Sequence, residues 1–383
     1  MNELRVALIG GNGVMGKAHS LGYSLAPLMA DLGVSIRKAV LVDATDELAA
    51  DAAQRLGWEE SSSNWREVIS RPDIDIIDIV TPPHIHKEIA VEALKLGKHV
   101  FVEKPITNDS TEALEMWEAQ VASGAAGQVG FNYRHIPAIQ FAKKLVDEGR
   151  IGTALQFRAT YLQDVLLNVI DFGWRGKTST GASGMIGDIG SHVMDMAEYL
   201  NGDIVRVCGL ARARENGAAP EVGWLTEDKR AARDMPDQAG VWVAEFANGA
   251  IGTFAVSLVA SGRKNLIRWE LDGTKGALEF NWNRREELGI SYADDPADHS
   301  GFRSVLSTHE HEDVWYNVPG LGLGYVDDNA IQMYKFVKSI AEHKLAHPNF
   351  GEAAHTQQLV EAVLESSKTG TWVDVARTPE GAR

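Results

Sequence analysis

Cysteine is nearly missing: Cys208 is the single one in 383 residues. One thiol cannot close an internal disulfide, so a crosslinked secreted scaffold is excluded. Its place in the apolar run Val205–Leu210 reads as core packing. Positive charge is scarce as well. Lys and Arg number 37 against 53 Asp and Glu, a formal charge of −16, and no basic stripe is visible. A nucleic-acid surface needs clustered cations to neutralise phosphates, so nucleic acid is not an expected partner. A nucleotide cofactor stays open, because backbone amides can hold a pyrophosphate. No long apolar span appears, and the start runs straight into a strand with no signal-peptide pattern. The expectation is a cytoplasmic protein with no membrane partner.

What is present is ordinary for a globular protein: 44 % hydrophobic and 23 % charged residues, over a length that favours two domains. The chain is organised around His99-Val100-Phe101-Val102-Glu103-Lys104-Pro105. Val100, Phe101 and Val102 suit a strand covered on both faces. Pro105 has no amide hydrogen and stops the pairing. Lys104 therefore lies near the carboxyl edge of a sheet, where open α/β sheets bind ligands. It is either a lysine held over a cofactor or half of a surface Glu–Lys pair.

The surrounding pattern favours the cofactor. Leu4–Gly10 is an apolar strand, followed by Gly11-Asn12-Gly13-Val14-Met15-Gly16 and a helix to about Asp31. Strand, glycine turn and helix in that order are the context of a dinucleotide fingerprint. Gly11 is expected to make the tight turn, Gly13 to admit the pyrophosphate with Val14 and Met15 beside it, and Gly16 to let helix and strand pack. The strand Lys38–Val42 ends in Asp43, which either accepts both hydroxyls of the adenosine ribose or caps the helix Thr45–Leu56. A carboxylate there repels a 2′-phosphate, so NAD is expected over NADP. Ile74–Val80 leads to Thr81 and Pro82 at the same edge. His86 opens the next helix and is either a contact to the nicotinamide ribose or a solvated first-turn histidine. With Gln128–Phe131 as one more strand, residues 1–132 read as a Rossmann dinucleotide-binding domain.

From 133 the pattern changes. Strands follow one another without intervening helices, at Val241–Phe246, Ile251–Val259, Leu266–Leu271 and Ala277–Phe280, with Asn248-Gly249 as a hairpin turn. Residues 133–383 read as an α+β domain with a large open, mostly antiparallel sheet, whose free face an oligomer would cover. The Gly-rich stretch from Gly181 leads into a helix carrying Asp188, His192 and Asp195. Asp188 and His192, four apart, share a helix face. They make a general-base arrangement or a fragment of a metal site too small to hold one, so no metal is expected. Asp195 fits capping and packing. His309-Glu310-His311-Glu312-Asp313 has metal-ligand composition but reads as a solvated loop, and residues 212–238 as a polar surface excursion.

Together, the glycine turn, Thr81-Pro82, Glu103-Lys104-Pro105 and Asp188…His192…Asp195 resemble the glucose–fructose oxidoreductase/inositol dehydrogenase (Gfo/Idh/MocA) family over nearly the whole chain. The resemblance implies that Lys104, Asp188 and His192 meet at a nicotinamide, with Glu103, Trp174 and Arg175 near the cofactor. It also implies a homodimer or homotetramer. Ala18-His19-Ser20, Phe131-Asn132-Tyr133-Arg134, Thr160–Asp164, Trp174-Arg175 and Phe280–Leu288 are similar to the branch of bacterial glycoside 3-dehydrogenases. That likeness implies NAD-dependent oxidation of a pyranose ring hydroxyl, at C3, with Tyr133, Tyr161, Gln163 and Trp174 as a wall for the carbohydrate. Inositol oxidation, and a glycosidase that oxidises its sugar transiently with bound NAD, are the alternatives. Asn12 departs from the family as an extra residue in the glycine turn.

Overall fold

A computed structural model describes residues 3–168, 184–212, 237–308, 311 and 324–382. The described residues fall into two compact units. One comprises residues 1–135, 308–354 and 379–383; the other comprises 136–307 and 355–378. The first stretch of the first unit ends at His135. The expected second domain ran unbroken to 383, whereas the segment 308–354 returns to the first unit.

The first unit is a parallel sheet of β1 (Glu3–Ile9), β2 (Ser35–Val42), β3 (Glu60–Ser62), β4 (Ile76–Ile79), β5 (His99–Val102) and β6 (Gly127–Val129), in spatial order 3-2-1-4-5-6. Crossover helices α1 (Val14–Met29), α2 (Asp46–Leu56), α3 (Trp65–Ser70), α4 (His86–Lys95) and α5 (Ser110–Ser123) connect the strands. The central strands are apolar without alternation because both faces are covered. One face is closed by a core of Val68, Ile89, Leu94, Met116 and Phe350. On the other, Tyr23, Phe101, Ile331, Phe336 and Val337 form one cluster. The last three belong to α9 (Tyr325–Ala341), which is why this helix joins the first unit. Register aligns Ile9 with Val42 and Ile79, Ile79 with Val102, and Val102 with Val129. The residues following these strands therefore share one carboxyl edge.

The second unit carries a nine-stranded sheet built from β7 (Ala154–Leu162), β8 (Ile204–Arg212), β9 (Ala239–Phe246), β10 (Ile251–Ser257), β11 (Leu266–Gly273), β12 (Gly276–Asn281), β13 (Glu287–Tyr292), β14 (Arg303–Leu306) and β15 (Val373–Asp374). The pair β7–β10 is parallel and the rest antiparallel. The inner face is a row of aromatic rings, Trp242, Phe254, Phe157, Trp269 and Phe280, with neighbouring centroids 5.0–6.1 Å apart. Helices α6 (Pro137–Asp147), α7 (Val165–Asn168), α8 (Ser191–Asn201) and most of α10 (Phe350–Thr369) accompany the sheet. The other face mixes ion pairs, among them Arg158 with Glu270 and Asp272, with exposed Leu210, Val241, Val243 and Ile251. Cys208, expected in the core, is a half-buried free thiol on β8.

Candidate active site

The carboxyl edge of the first sheet gathers the glycine turn, Asp43, Thr81 and Lys104. The turn differs in detail from the expectation. Gly10, not Gly11, takes the left-handed backbone, at φ +92°. Gly11 is required for a different reason, since a Cβ there would run into Leu41. Gly16 lies against the Gly11 backbone, as expected for close helix–strand packing. A Cβ on Gly13 would meet nothing within 4 Å, and α1 begins there with no capping side chain. The first amides of α1 are thus presented across an open approach, with Val14 78 % exposed beside them. This is a fitting cradle for a pyrophosphate.

Asp43 does not cap α2; Thr45 does, through Leu48 N–H. The Asp43 carboxylate instead accepts from the Asn12 amide at 2.8 Å and from its neighbour Ala44 at 2.8 Å. Asn12 also accepts from Arg55 through its side-chain oxygen at 2.7 Å. Asn12 therefore stitches the glycine turn to the ends of β2 and α2. Lys38 is occupied by Ser24 and the Leu56 carbonyl, in keeping with a carboxylate-led ribose site.

Two expected cofactor ligands are corrected. His86 is 1 % exposed, and its ring nitrogens lie 3.0 Å from the Ile106 carbonyl and 2.7 Å from that of Thr81. Burial lowers its pKa. It braces the Thr81 turn against the segment after Lys104 and is neither solvated nor turned to a ribose. Glu103 is also inward. One of its oxygens takes the ring Nε2–H of His19 at 3.1 Å, and the other takes the amide of Lys104 at 3.1 Å. His19 Nδ1 lies 2.9 Å from Asp78. Burial works against the imidazolium, but Asp78 and Glu103 prevail and raise its pKa to about 10. Lys104 itself is half-buried at the end of this network.

In the second unit, the helix of Asp188 and His192 contains a π turn, Ile186–Gly190, that runs directly into α8. The widened turn contains Asp188 and ends two residues before His192, a feature common at functional sites and absent from the expected regular face. Asp188 is half-buried, while His192 and Asp195 are buried. Asp237 accepts the Ile186 amide at 2.9 Å, and burial pushes its own pKa up to about 7. Of the residues expected to form a carbohydrate wall, Tyr161 and Gln163 share a partner on the second unit. The Tyr161 ring lies 6.1 Å from that of His192. Tyr161 Oη donates to Asn265 Oδ1 at 2.8 Å, and Gln163 Nε2 reaches the same oxygen at 2.7 Å. Tyr133 is buried in the first unit. Trp174 and Arg175 lie outside the described residues, as do residues 213–236 and four of the five residues from His309 to Asp313.

Sequence reasoning missed Asp78, Asn265 and Asp237. Asp78 had a signal, a lone carboxylate inside the apolar strand Ile76–Ile79. Among the described residues, Glu198, Asp203 and His355 form a group with metal-ligand chemistry. Glu198 accepts from His355 and the Ile204 amide, and Asp203 from Thr378, so hydrogen bonds within the protein account for the cluster.

Residues 4–131 match an oxidoreductase family model with an NAD-binding Rossmann fold, and residues 139–279 match the GFO/IDH/MocA C-terminal domain. The chain belongs to the Gfo/Idh/MocA oxidoreductase family. Levoglucosan dehydrogenase of Pseudarthrobacter phenanthrenivorans is 40 % identical over 98 % of this chain and 99 % of its own length. The NAD-dependent scyllo-inositol 2-dehydrogenase of Bacillus subtilis is 30 % identical over 76 % of this chain and 77 % of its own. A solved levoglucosan dehydrogenase structure, in complex with NADH and levoglucosan, superposes with a TM-score of 0.92 at 38 % identity, covering 98 % of this chain and all of the other. This Gfo/Idh/MocA member is an oxidoreductase, and NAD is its cofactor. No described helix is long and apolar enough to cross a membrane.

Proposed function

We propose that the chain oxidises a ring hydroxyl of a pyranose or its glycoside, at C3, to the keto sugar. The observation that carries this reading is the full-length likeness to levoglucosan dehydrogenase. NAD, when bound, accepts the hydride. Gly11, Gly13, Val14, Met15, Asp43, Thr81 and Pro82 hold it, with Trp174 and Arg175 further along. Lys104 donates a hydrogen bond to the reacting oxygen and stabilises the developing alkoxide. His192 takes the hydroxyl proton, a contribution of about 10²–10⁴-fold. Asp188 orients the substrate or the ring of His192. Tyr161 and Gln163, held by Asn265, offer a ring face to C–H surfaces and an amide to the hydroxyls, and Tyr133 and Trp174 complete the wall.

The likeness to scyllo-inositol 2-dehydrogenase favours a second reading, oxidation of an inositol ring by the same residues. Incubation with NAD and levoglucosan, followed by product NMR, separates the two. A 3-keto pyranose supports the proposal, and no oxidised sugar under conditions where an inositol is consumed refutes it. The exposed apolar residues on the outer face of the second sheet serve, in this reading, as the contact of a homodimer or homotetramer in the cytoplasm. Light scattering that gives a monomer mass rejects that part.

A further inference from the structure

We propose that His19 is a positioning residue for Lys104, clamping the Glu103 carboxylate so that the lysine backbone is held at the end of β5. The inference rests on Lys104 being the group that acts on the substrate oxygen. His19 projects from α1, the helix that opens at the cofactor turn. Its Nδ1 meets Asp78 of β4, and its Nε2 meets Glu103 after β5. The second Glu103 oxygen accepts the Lys104 amide. One imidazole thus links the phosphate-binding helix to the backbone of the lysine.

Packing alone does not call for this arrangement. His19 and Asp78 are wholly buried, Glu103 is 6 % exposed, and Phe101 stands edge-on to the imidazole at 5.3 Å. Burying three ionisable groups is costly, and apolar side chains of the same volume generally serve stability as well or better. What the ionic chain supplies is direction. Each carboxylate is held at a fixed donor, and Gly130 is bare where a Cβ would collide with Glu103. The groups facing His19 are Asp78 and Glu103, with Tyr23 beside Asp78. With an imidazolium between two carboxylates, the cluster carries one net negative charge.

This geometry makes a rescue experiment possible. In His19→Gln, the introduced amide can donate to Glu103, but its oxygen then faces the Asp78 carboxylate, and the cluster holds two negative charges. Adding Asp78→Asn supplies a donor for that oxygen and restores both the chain and the single charge. Asp78→Asn alone also leaves the chain complete, because a neutral His19 can donate to Glu103 and accept from the new amide. With NAD binding followed by tryptophan quenching and a pyranoside as substrate, His19→Gln should lose about 10- to 100-fold in kcat. Its NAD affinity should stay within about threefold of the parent, less than the loss of one hydrogen bond. The double variant should regain about tenfold of that kcat, equivalent to one good hydrogen bond. A double variant no faster than His19→Gln overturns the proposal, since a packing role predicts added damage. If His19→Gln does not fold, Asp78→Asn decides: kcat within about tenfold of the parent supports the clamp, and a greater loss with NAD still bound overturns it. Lys104→Met is the control. If it turns over normally, the reading of Lys104 itself fails; if it is silent while His19→Gln is fully active, only the clamp fails.

Discussion

The imidazole of His19 stands between two carboxylates, with Nδ1 2.9 Å from Asp78 Oδ2 and Nε2 3.1 Å from Glu103 Oε1. It makes a buried cationic bridge from α1 to the strands that lead to Thr81 and Lys104. The bridge has a consequence for stability. The pKa of His19 is raised from 6.5 to about 10, so folding binds a proton that the unfolded chain releases. Its stabilising contribution is complete below pH 6.5 and is lost as pH rises through about 10. Thermal unfolding of the parent and of His19→Gln should therefore converge as pH rises from neutral to alkaline. A gap that widens contradicts the bridge.

Lys104→Met removes the charged donor and keeps much of the volume. Turnover should fall about 10²–10³-fold, the scale of one lost oxyanion donor, while NAD affinity is largely kept. Steady-state kinetics and fluorescence titration measure the two separately. Loss of NAD binding together with turnover would make Lys104 a structural residue.

Asp43 serves two partners in the proposed account, the adenosine ribose and the Asn12 amide. Asp43→Ala should raise KM for NAD by about tenfold, the worth of a hydrogen bond to a charged group. It should also narrow the preference over NADP by removing the charge that repels a 2′-phosphate. Comparing kcat/KM for both cofactors in parent and variant tests this, and an unchanged ratio contradicts the carboxylate's role.

Glu352, on the first turn of α10, accepts from Arg134 at 2.6 Å and from the Asn349 amide at 2.9 Å, with His347 at 2.7 Å. Burial works against its charge, but Arg134 and His347 prevail and hold its pKa at about 2. Glu352→Ala breaks a buried ion pair with Arg134 and should cost about 3–5 kcal/mol by urea unfolding at neutral pH. The depressed pKa contributes stability above pH 4.5 that fades as pH falls toward 2. The parent should lose more stability than the variant between pH 5 and pH 3.

Much of this site was readable in the chain because its signals are local. The glycine turn, the strand ending in Glu103-Lys104-Pro105 and the Asp188–His192 spacing are each fixed within a few residues, and the structure places the first two on one sheet edge. Roles that depend on distant partners were not readable. His86 is at its expected helix start, but the carbonyl that claims its ring belongs to Ile106. Glu103 carries a charge that suits a ligand, but its carboxylate is claimed by His19, 84 residues away. Asp237 caps a helix 51 residues upstream. Nor does the sequence of α9 tell which sheet the helix covers, since Ile331, Phe336 and Val337 meet Tyr23 and Phe101 some 230 to 314 residues away. The π turn before His192 has no local sequence marker, since a regular helix accommodates the same residues.

The most direct test of the central claim is NADH formation by the purified protein with NAD, across levoglucosan, glucose, alkyl and aryl glucosides, and inositols. The account predicts NADH with pyranosides bearing a free C3 hydroxyl, and no signal from the Lys104→Met variant. NADH with inositols alone contradicts it in favour of the second reading. Release of an aryl aglycone with no net NADH contradicts it in favour of a redox glycosidase.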